Sequence, residues 1–142
     1  MTKKLEVIAE KCSGCRLCQL MCSLVHQDGS FNPRKGLVRV DINRTPKIGT
    51  PLSEIDVPHV CLQCDPAPCA EACPEEAFEW DGRLDLYKIN EALCTGCGTC
   101  ADACPYHMIV IDVDDDHAMK CDLCGGDPVC VQFCPTGALS FV

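Results

Sequence analysis

Cysteine is the residue type whose number and spacing could carry chemistry in this sequence, since it accounts for 16 of the 142 residues. The cysteines fall into four groups with a similar internal layout, and none is left over. The groups are Cys12, Cys15, Cys18 and Cys22; Cys61, Cys64, Cys69 and Cys73; Cys94, Cys97, Cys100 and Cys104; and Cys121, Cys124, Cys130 and Cys134. Thiolates are soft metal ligands, so the groups form an internal repeat of candidate ligand sets.

The third group has the spacing C-x2-C-x2-C-x3-C-P, which is the bacterial pattern for [4Fe–4S] ligation. Three cysteines at intervals of three let a tight loop surround one corner of a cubane, while the fourth begins a helical turn that leads to another cluster. Pro105 then helps to set the exit of the chain, because proline needs no amide hydrogen. Each loop supplies three ligands and each cubane has four irons, so the loops must exchange fourth ligands in pairs. The sequence therefore predicts four [4Fe–4S] clusters bound by all sixteen cysteines.

Three other uses of cysteine fit the spacing less well. Structural zinc would use two C-x2-C knuckles about 12–20 residues apart, whereas here the third and fourth cysteines follow each knuckle within a few residues. A disulfide framework needs an oxidising compartment, but the first residues resemble no secretory signal peptide and no twin-arginine pair occurs. Thiol exchange has no use for four tandem copies. The N-terminus predicts a cytoplasmic protein, although a folded subunit can also be exported with a partner that carries the signal.

The composition supports clusters as part of the core. Hydrophobic residues make up 47% of the chain, but without the cysteines they fall to about 36%, and only seven residues are aromatic. An ordinary apolar core is thin at this length, so the clusters must supply cohesion. No apolar run approaches the roughly 18 residues of a membrane span, and none is predicted.

The charge is unevenly distributed along the chain, whose formal net charge is −9. Residues 1–47 hold nine Lys and Arg against four Asp and Glu, whereas residues 48–142 hold three against seventeen. The acidic majority argues against a zinc-based nucleic-acid module. The basic segment could dock an acidic partner or form a solvated loop. Its residues are Arg34, Lys35, Arg39, Arg44 and Lys47.

The segments between the groups predict short strands and turns. Asp81-Gly82 predicts a two-residue hairpin turn between strands at 77–80 and 83–86. Residues 108–113 predict a strand that ends at a solvated acidic turn, 114–116. Only twenty residues separate Cys73 from Cys94, enough for one hairpin, so groups two and three should form one unit. Groups one and four then pair with each other and enclose it.

These inferences predict an α+β fold of two interleaved ferredoxin-like units, with short hairpins and short helices around cores filled by clusters. The whole chain, 1–142, is one polyferredoxin domain. Residues 61–104 form the inner unit, and residues 1–60 and 105–142 form the outer unit. Residues 23–60 form an insert, with a strand-like stretch at 37–42 and a loop at 45–51, that we expect to contact a partner.

No catalytic constellation accompanies the cysteines. The four histidines have no common motif spacing and are interpreted as surface or packing residues; they are His26, His59, His107 and His117. Gly125-Gly126 lies inside the fourth cysteine group, where crowded backbone explains it better than a phosphate-binding loop does. We therefore expect a non-catalytic chain, with any flavin or NAD site on another subunit.

Several segments resemble known iron–sulfur subunits. Residues 104–106 (CPY), 120–124 (KCDLC), 128–131 (PVCV) and 134–139 (CPTGAL) resemble the electron-transfer subunit of the dimethyl sulfoxide reductase family. Residues 26–33 with 38–40 are similar to the small ferredoxin-type subunits of tungsten aldehyde oxidoreductases, and similar small subunits serve tungsten-type benzoyl-CoA reductases.

The resemblance implies four ligand sets, each with three cysteines of one group and the fourth cysteine of another. The sets are Cys12, Cys15, Cys18 and Cys134; Cys121, Cys124, Cys130 and Cys22; Cys61, Cys64, Cys69 and Cys104; and Cys94, Cys97, Cys100 and Cys73. One departure from the pattern is Ser23, where a proline would follow Cys22. We expect it to leave the exit of that loop freer.

The function expected from these features is electron transfer along a row of four clusters. The row would connect a catalytic subunit, first of all a tungsten aldehyde oxidoreductase, to a second redox partner. The alternatives are the iron–sulfur subunit of a molybdenum-pterin oxidoreductase, carbon monoxide dehydrogenase or hydrogenase, and a free soluble polyferredoxin. Clusters exposed at both ends of the row would also permit self-stacking of copies.

Overall fold

The computed structural model describes residues 3–26, 31–42, 48–49, 56–112, 114 and 116–142. Within these ranges the chain forms eight short strands and four short α-helices. The strands are β1 (Leu5–Val7), β2 (Arg39–Ile42), β3 (Asp56–His59), β4 (Phe78–Asp81), β5 (Leu86–Ile89), β6 (Val110–Asp112), β7 (His117–Met119) and β8 (Leu139–Phe141). The helices are α1 (Leu17–His26), α2 (Pro68–Ala72), α3 (Thr99–Ala103) and α4 (Val129–Gln132). This small mixed α/β composition confirms the fold class at that level.

The strands form four separate antiparallel pairs: β1 with β8, β2 with β3, β4 with β5, and β6 with β7. The β1–β8 pair places Leu5 opposite Phe141 and Val7 opposite Leu139, so it joins the two ends of the described chain. Helix α1 packs on α4, and α2 packs on α3. The elements beside groups one and four are therefore neighbours in space, as are those beside groups two and three.

The residue that follows the last cysteine of a group determines where helices α1, α2 and α3 end. Helices α2 and α3 end directly before Cys73 and Cys104, which are extended and precede prolines. A residue before proline is disfavoured in the helical conformation, so these helices stop there. Ser23 lacks this restriction, and α1 continues through it to His26.

The sequence led to the expectation that Ser23 leaves the exit of its loop freer. The structure contradicts this expectation. Its hydroxyl is fully buried, donates to the carbonyl of Leu20 at 2.7 Å and accepts the backbone N–H of Asn32 at 3.2 Å. A proline at this position could supply neither contact. The serine therefore ties the helix to the returning insert.

The hairpin near Asp81 has a longer turn than the sequence predicts. Asp81 pairs with Leu86, so residues 82–85 form a four-residue turn and the strand predicted at 83–86 begins only at Leu86. The cause is the Asp81 carboxylate, whose Oδ1 accepts the backbone N–H groups of Arg83 at 2.9 Å and Leu84 at 3.2 Å. Asp85 then adopts a left-handed φ of 57° and directs the chain into β5.

The strand predicted at 108–113 is shorter than expected. Strand β6 spans Val110–Asp112, and it pairs with β7, which the sequence did not predict. Residues 114 and 116 lie in the turn between them, as predicted. Asp112 is buried and binds Lys35 Nζ at 3.1 Å, while Asp114 binds the same amine at 2.7 Å. The turn therefore also holds part of the insert.

The insert contributes to the core. Leu37, Val38 and Val40 are buried in the larger of two hydrophobic clusters, beside cysteines of groups one and four. Of the predicted loop at 45–51, only residues 48–49 lie within the described residues. Partner contact by the insert stays a prediction. In the described ranges, no helix combines the length and the apolar character needed to cross a membrane.

Candidate iron–sulfur cluster sites

Three small cavities are each lined by four cysteines. Each takes three cysteines from one group and the last cysteine of another, and we name these groupings sets A, C and D. Set A is Cys12, Cys15, Cys18 and Cys134. Set C is Cys61, Cys64, Cys69 and Cys104. Set D is Cys73, Cys94, Cys97 and Cys100. The remaining four cysteines, Cys22, Cys121, Cys124 and Cys130, are named set B.

In set B, Cys22 lies close enough to the other three thiols to interact with them electrostatically. Cys22 contributes to the raised pKa values of Cys121, Cys124 and Cys130. The packing of α1 on α4 explains this proximity, because Cys22 lies on α1 and Cys130 on α4. Cys22 therefore lies near the cysteines of group four, and the four ligand sets stay a prediction.

The sets follow one another in the order A, B, C, D. In each pair of successive sets, a thiol of one set raises the pKa of a thiol in the other set, so the two sets lie close together. These pairs are Cys18 with Cys130, Cys61 with Cys121, and Cys69 with Cys100. Cys15 and Cys97 are the exposed cysteines, and they belong to the two end sets.

Burial raises the pKa of several of these thiols. It raises the pKa of Cys18 and Cys100 to about 11 and that of Cys130 to about 12. The hydroxyl and backbone N–H of Thr99 instead lower the pKa of the exposed Cys97. Metal ligation requires thiolates, so binding of iron at the buried cysteines must release protons.

Backbone N–H groups point at several sulfurs. The N–H of Ala77 lies 3.4 Å from Cys73 Sγ, and that of Met108 lies 3.4 Å from Cys104 Sγ. In both cases the donor is four residues beyond the cysteine and follows the Cys-Pro turn. Such hydrogen bonds withdraw negative charge from ligand sulfur and are one means of adjusting the reduction potential of a cluster.

Gly96 is required by a close approach of two backbone segments in set D. It has a φ of 71°, and a Cβ placed there would lie 2.4 Å from the carbonyl oxygen of Asp116. The loop that carries Cys94 and Cys97 therefore packs against the turn between β6 and β7.

His26 lies beside set B, although the sequence interpretation treats it as a surface or packing residue. Its Nδ1 is 3.7 Å from Cys22 Sγ and its Nε2 is 3.2 Å from Asp122 Oδ1. The carboxylate of Asp122 and the sulfur of Cys22 raise the pKa of His26 to about 11. The i,i+4 spacing of Cys22 and His26 on one helix was the available signal.

His26, Asp122 and Cys124 also bring three possible ligand atoms within 4.8 Å of one another. Because Cys124 belongs to set B, this trio is part of that site rather than a separate metal centre.

Lys120 and Gln63 are two further residues that the sequence interpretation missed. Lys120 lines the cavity of set C, and Gln63 lies between Cys61 and Cys64. Both side chains are buried. The signal in the sequence was weak, because a polar residue next to a cysteine can be exposed to solvent as easily as it can be buried.

The sets fit the cluster chemistry that the spacing predicts. Sets A, C and D each bring four soft thiol ligands together, and the wall of the set A cavity includes apolar groups such as Val40, Pro58 and Leu139. Four converging sulfurs with a partly apolar surround match the four irons of a cubane and limit water access.

Comparisons with known proteins agree with this chemistry. The family described as "4Fe-4S dicluster domain" matches residues 54–142. The polyferredoxin-like subunit of the aliphatic sulfonate oxidoreductase of Pyrococcus furiosus is 40% identical over 128 residues, which cover 90% of this chain and 69% of that protein. The electron transport protein HydN of Escherichia coli K12 is 34% identical over 153 aligned positions, covering 92% of this chain and 82% of HydN.

A solved structure is also similar. The active site complex BamBC of benzoyl coenzyme A reductase with benzoyl-CoA contains a chain that aligns with a TM-score of 0.56 and 30% identity. The alignment covers 99% of this chain and 79% of that chain.

Proposed function

The chain belongs to the ferredoxin-type family described by the 4Fe-4S dicluster domain, and on that premise we propose that it is an electron-transfer subunit with four [4Fe–4S] clusters in a row. The family match covers three of the four cysteine groups. The observation that carries the proposal is that three cavities are each lined by four cysteines, three from one group and the last from another. Each set would hold one cubane.

The proposed ligands are those of sets A, B, C and D. Each set joins three cysteines of one group to the fourth cysteine of another, so groups one and four exchange ligands, as do groups two and three. The strand pair β1–β8 and the contact of α1 with α4 support the outer exchange, while β4–β5 and the contact of α2 with α3 support the inner one. On this proposal the fold consists of two interleaved ferredoxin-like units within one domain.

A bound cluster supplies one-electron chemistry, and the chain controls its position and surroundings. Thiolates would hold the irons, apolar residues would limit water, and backbone N–H groups would partly neutralise the sulfurs. The row A, B, C, D places set A and set D at its ends, where Cys15 and Cys97 are exposed. Electrons would enter at one end and leave at the other.

The proposed partner is a large catalytic oxidoreductase subunit in the cytoplasm. A tungsten-pterin aldehyde oxidoreductase is the first candidate, because of the segments at 26–33 and 38–40, and a molybdenum-pterin enzyme is the second. The similarity to a polyferredoxin-like oxidoreductase subunit and to a chain of BamBC supports a subunit role. A flavin or NAD subunit would be the second redox partner.

The test is metal analysis of the protein isolated without oxygen from its native host, together with whatever stays bound. We expect about sixteen iron atoms per chain and a fixed proportion of tungsten from the partner. Molybdenum or nickel instead of tungsten would keep the electron-transfer role but change the partner. Zinc in place of iron would overturn the proposal.

A free electron carrier is the second candidate. The observation in its favour is the similarity to HydN, which is named only as an electron transport protein. In this case sixteen iron atoms would co-purify with the chain alone, and no large subunit would remain bound.

A further inference from the structure

Lys120 is a buried amine placed between two cysteine sets. Only 9% of the residue is exposed. Its Nζ donates hydrogen bonds to the side-chain carbonyl of Gln63, to the carbonyl oxygen of Tyr87 at 3.0 Å and to that of Cys121 at 3.3 Å. All three acceptors are neutral. Among the described residues, no carboxylate forms an ion pair with Lys120.

Burial of an ammonium group is unfavourable unless negative charge lies nearby. A cluster bound by set C would supply negative charge near Lys120. Lys120 lines the set C cavity, and its charge lowers the pKa of Cys61 and Cys69 against the larger opposing effect of burial. A [4Fe–4S] cluster with four thiolates carries about −2 and becomes more negative on reduction. The loaded site is therefore the counterion that the amine lacks.

Gln63 fixes the position of this amine. It lies in the set C loop with a left-handed φ of 50°, and its side chain is buried. Its amide nitrogen donates to the carbonyl of Cys121 at 2.9 Å, while its amide oxygen accepts from Lys120. The glutamine thus joins the loops of sets C and B and holds the amine between them.

We propose that Lys120, positioned by Gln63, raises the reduction potential of the cluster bound by set C above that of the same site without the cation. The physical reason is that a fixed positive charge in a site of low dielectric constant stabilises the more negative, reduced cluster. Because set C is internal to the row, the electron would be held between the two ends. The inference rests on the proposed function, since it assumes a cluster at set C.

The test is a redox titration of the iron-loaded chain, followed by electron paramagnetic resonance. We expect Lys120→Met to lower one midpoint potential by about 59 mV or more. For one electron, this shift corresponds to a tenfold change in the equilibrium constant of reduction. Lys120→Arg keeps the charge and should keep that midpoint close to the wild-type value. In the background of Cys61→Ala, which removes the set C cluster, the shifted midpoint should be absent.

Two further variants separate charge from packing. Gln63→Glu is nearly isosteric and neutralises the amine in place, so it should lower the same midpoint without removing the lysine. Lys88→Met is the matched control, because Lys88 follows Tyr87 on β5 but is half-exposed and pairs with Asp81 at 2.5 Å. Solvent and the nearby carboxylate should keep its effect on every midpoint small.

The outcomes distinguish this inference from the proposed function. If the wild-type chain binds four clusters but Lys120→Met and Gln63→Glu leave all midpoints unchanged, the inference is wrong and the proposed function stands. If the wild-type chain contains no cluster at set C, the proposed function itself fails, and this inference fails with it. A shift of equal size with Lys88→Met would also overturn the inference, because any nearby charge would then suffice.

Discussion

The backbone N–H of Leu37 lies 3.3 Å from Cys22 Sγ, so a residue of the insert donates to the last cysteine of the first group. After Cys73 and Cys104 the equivalent donor is four residues away in sequence. Cys22 cannot use that donor, because α1 continues to His26 and its backbone N–H groups are used within the helix. The insert is thus part of the surroundings of set B.

Ser23→Ala should loosen this arrangement. The variant loses the acceptor for the part-buried N–H of Asn32, and an unsatisfied donor costs up to about 1–3 kcal/mol when it is fully buried. We expect a lower thermal unfolding midpoint in the iron-loaded protein under anaerobic conditions. Ser140→Ala is the control, because its hydroxyl binds Glu6 at 3.3 Å in an exposed position. Equal midpoints for the two variants would contradict the anchoring role of Ser23.

The exchange of ligands between groups can be tested by counting iron. Cys61 and Cys104 belong to different groups but to the same proposed set, so Cys61→Ala with Cys104→Ala should lose no more iron than either single variant. Each should lose about four atoms per chain. Cys61→Ala with Cys94→Ala combines sets C and D and should lose about eight atoms. A loss of about eight atoms from the variant with Cys61→Ala and Cys104→Ala would instead assign Cys104 to its own group.

Gly96→Ala should be destabilising because its methyl group would meet backbone. The Cβ would lie 2.4 Å from the Asp116 carbonyl oxygen, and the positive φ adds about 1–2 kcal/mol of strain. Gly98→Ala is the matched control, since it has a φ of 81° but no atom within 4 Å of the added Cβ. We expect the Gly96 variant to lose the set D cluster faster on heating. The idea is wrong if both glycine variants lose the cluster at the same rate.

Lys35→Met should separate the insert from β6. Lys35 bridges Asp112 and Asp114, and its removal leaves the buried Asp112 carboxylate without this cation. Pairing with Asp114 and then Asp112 raises the pKa of Lys35 above 10.5. The stabilisation by the pair is therefore fully present below pH 10.5 and is lost as the pH rises through the folded-state value.

The measurement for Lys35→Met is the thermal unfolding midpoint at pH 7 and 8, compared with Lys4→Met, which removes an exposed lysine. The Lys35 variant should unfold at a lower temperature at both pH values. A drop of the same size for both variants would show that the pair with Asp112 contributes nothing specific.

Much of the chemistry was predictable from the sequence because it depends on local spacing. The recognition as a ferredoxin-type iron–sulfur electron-transfer subunit and the interpretation as non-catalytic are confirmed by the family match and the named relatives. Cluster binding of the [4Fe–4S] type is confirmed in the same way. The count of four clusters, their ligands and the tungsten partner stay predictions.

Other features could not be read from spacing. The turn after Asp81 depends on a side chain that competes with the expected two-residue turn, and β7 has too few residues to show a pattern. His26 and Lys120 look like ordinary polar residues until the chain folds. The contact of Gln63 with Cys121 joins positions 58 residues apart, which no local motif encodes.

The sequence by itself determined the type and number of candidate ligands, because a loop of a few residues sets how cysteines converge on one site. It also determined where α2 and α3 end, because proline restricts the residue before it. Only the tertiary structure decided the order A, B, C, D and the placement of the Lys120 amine beside set C. The physical reason is that these relations arise from packing between distant segments, where burial and charge act through space.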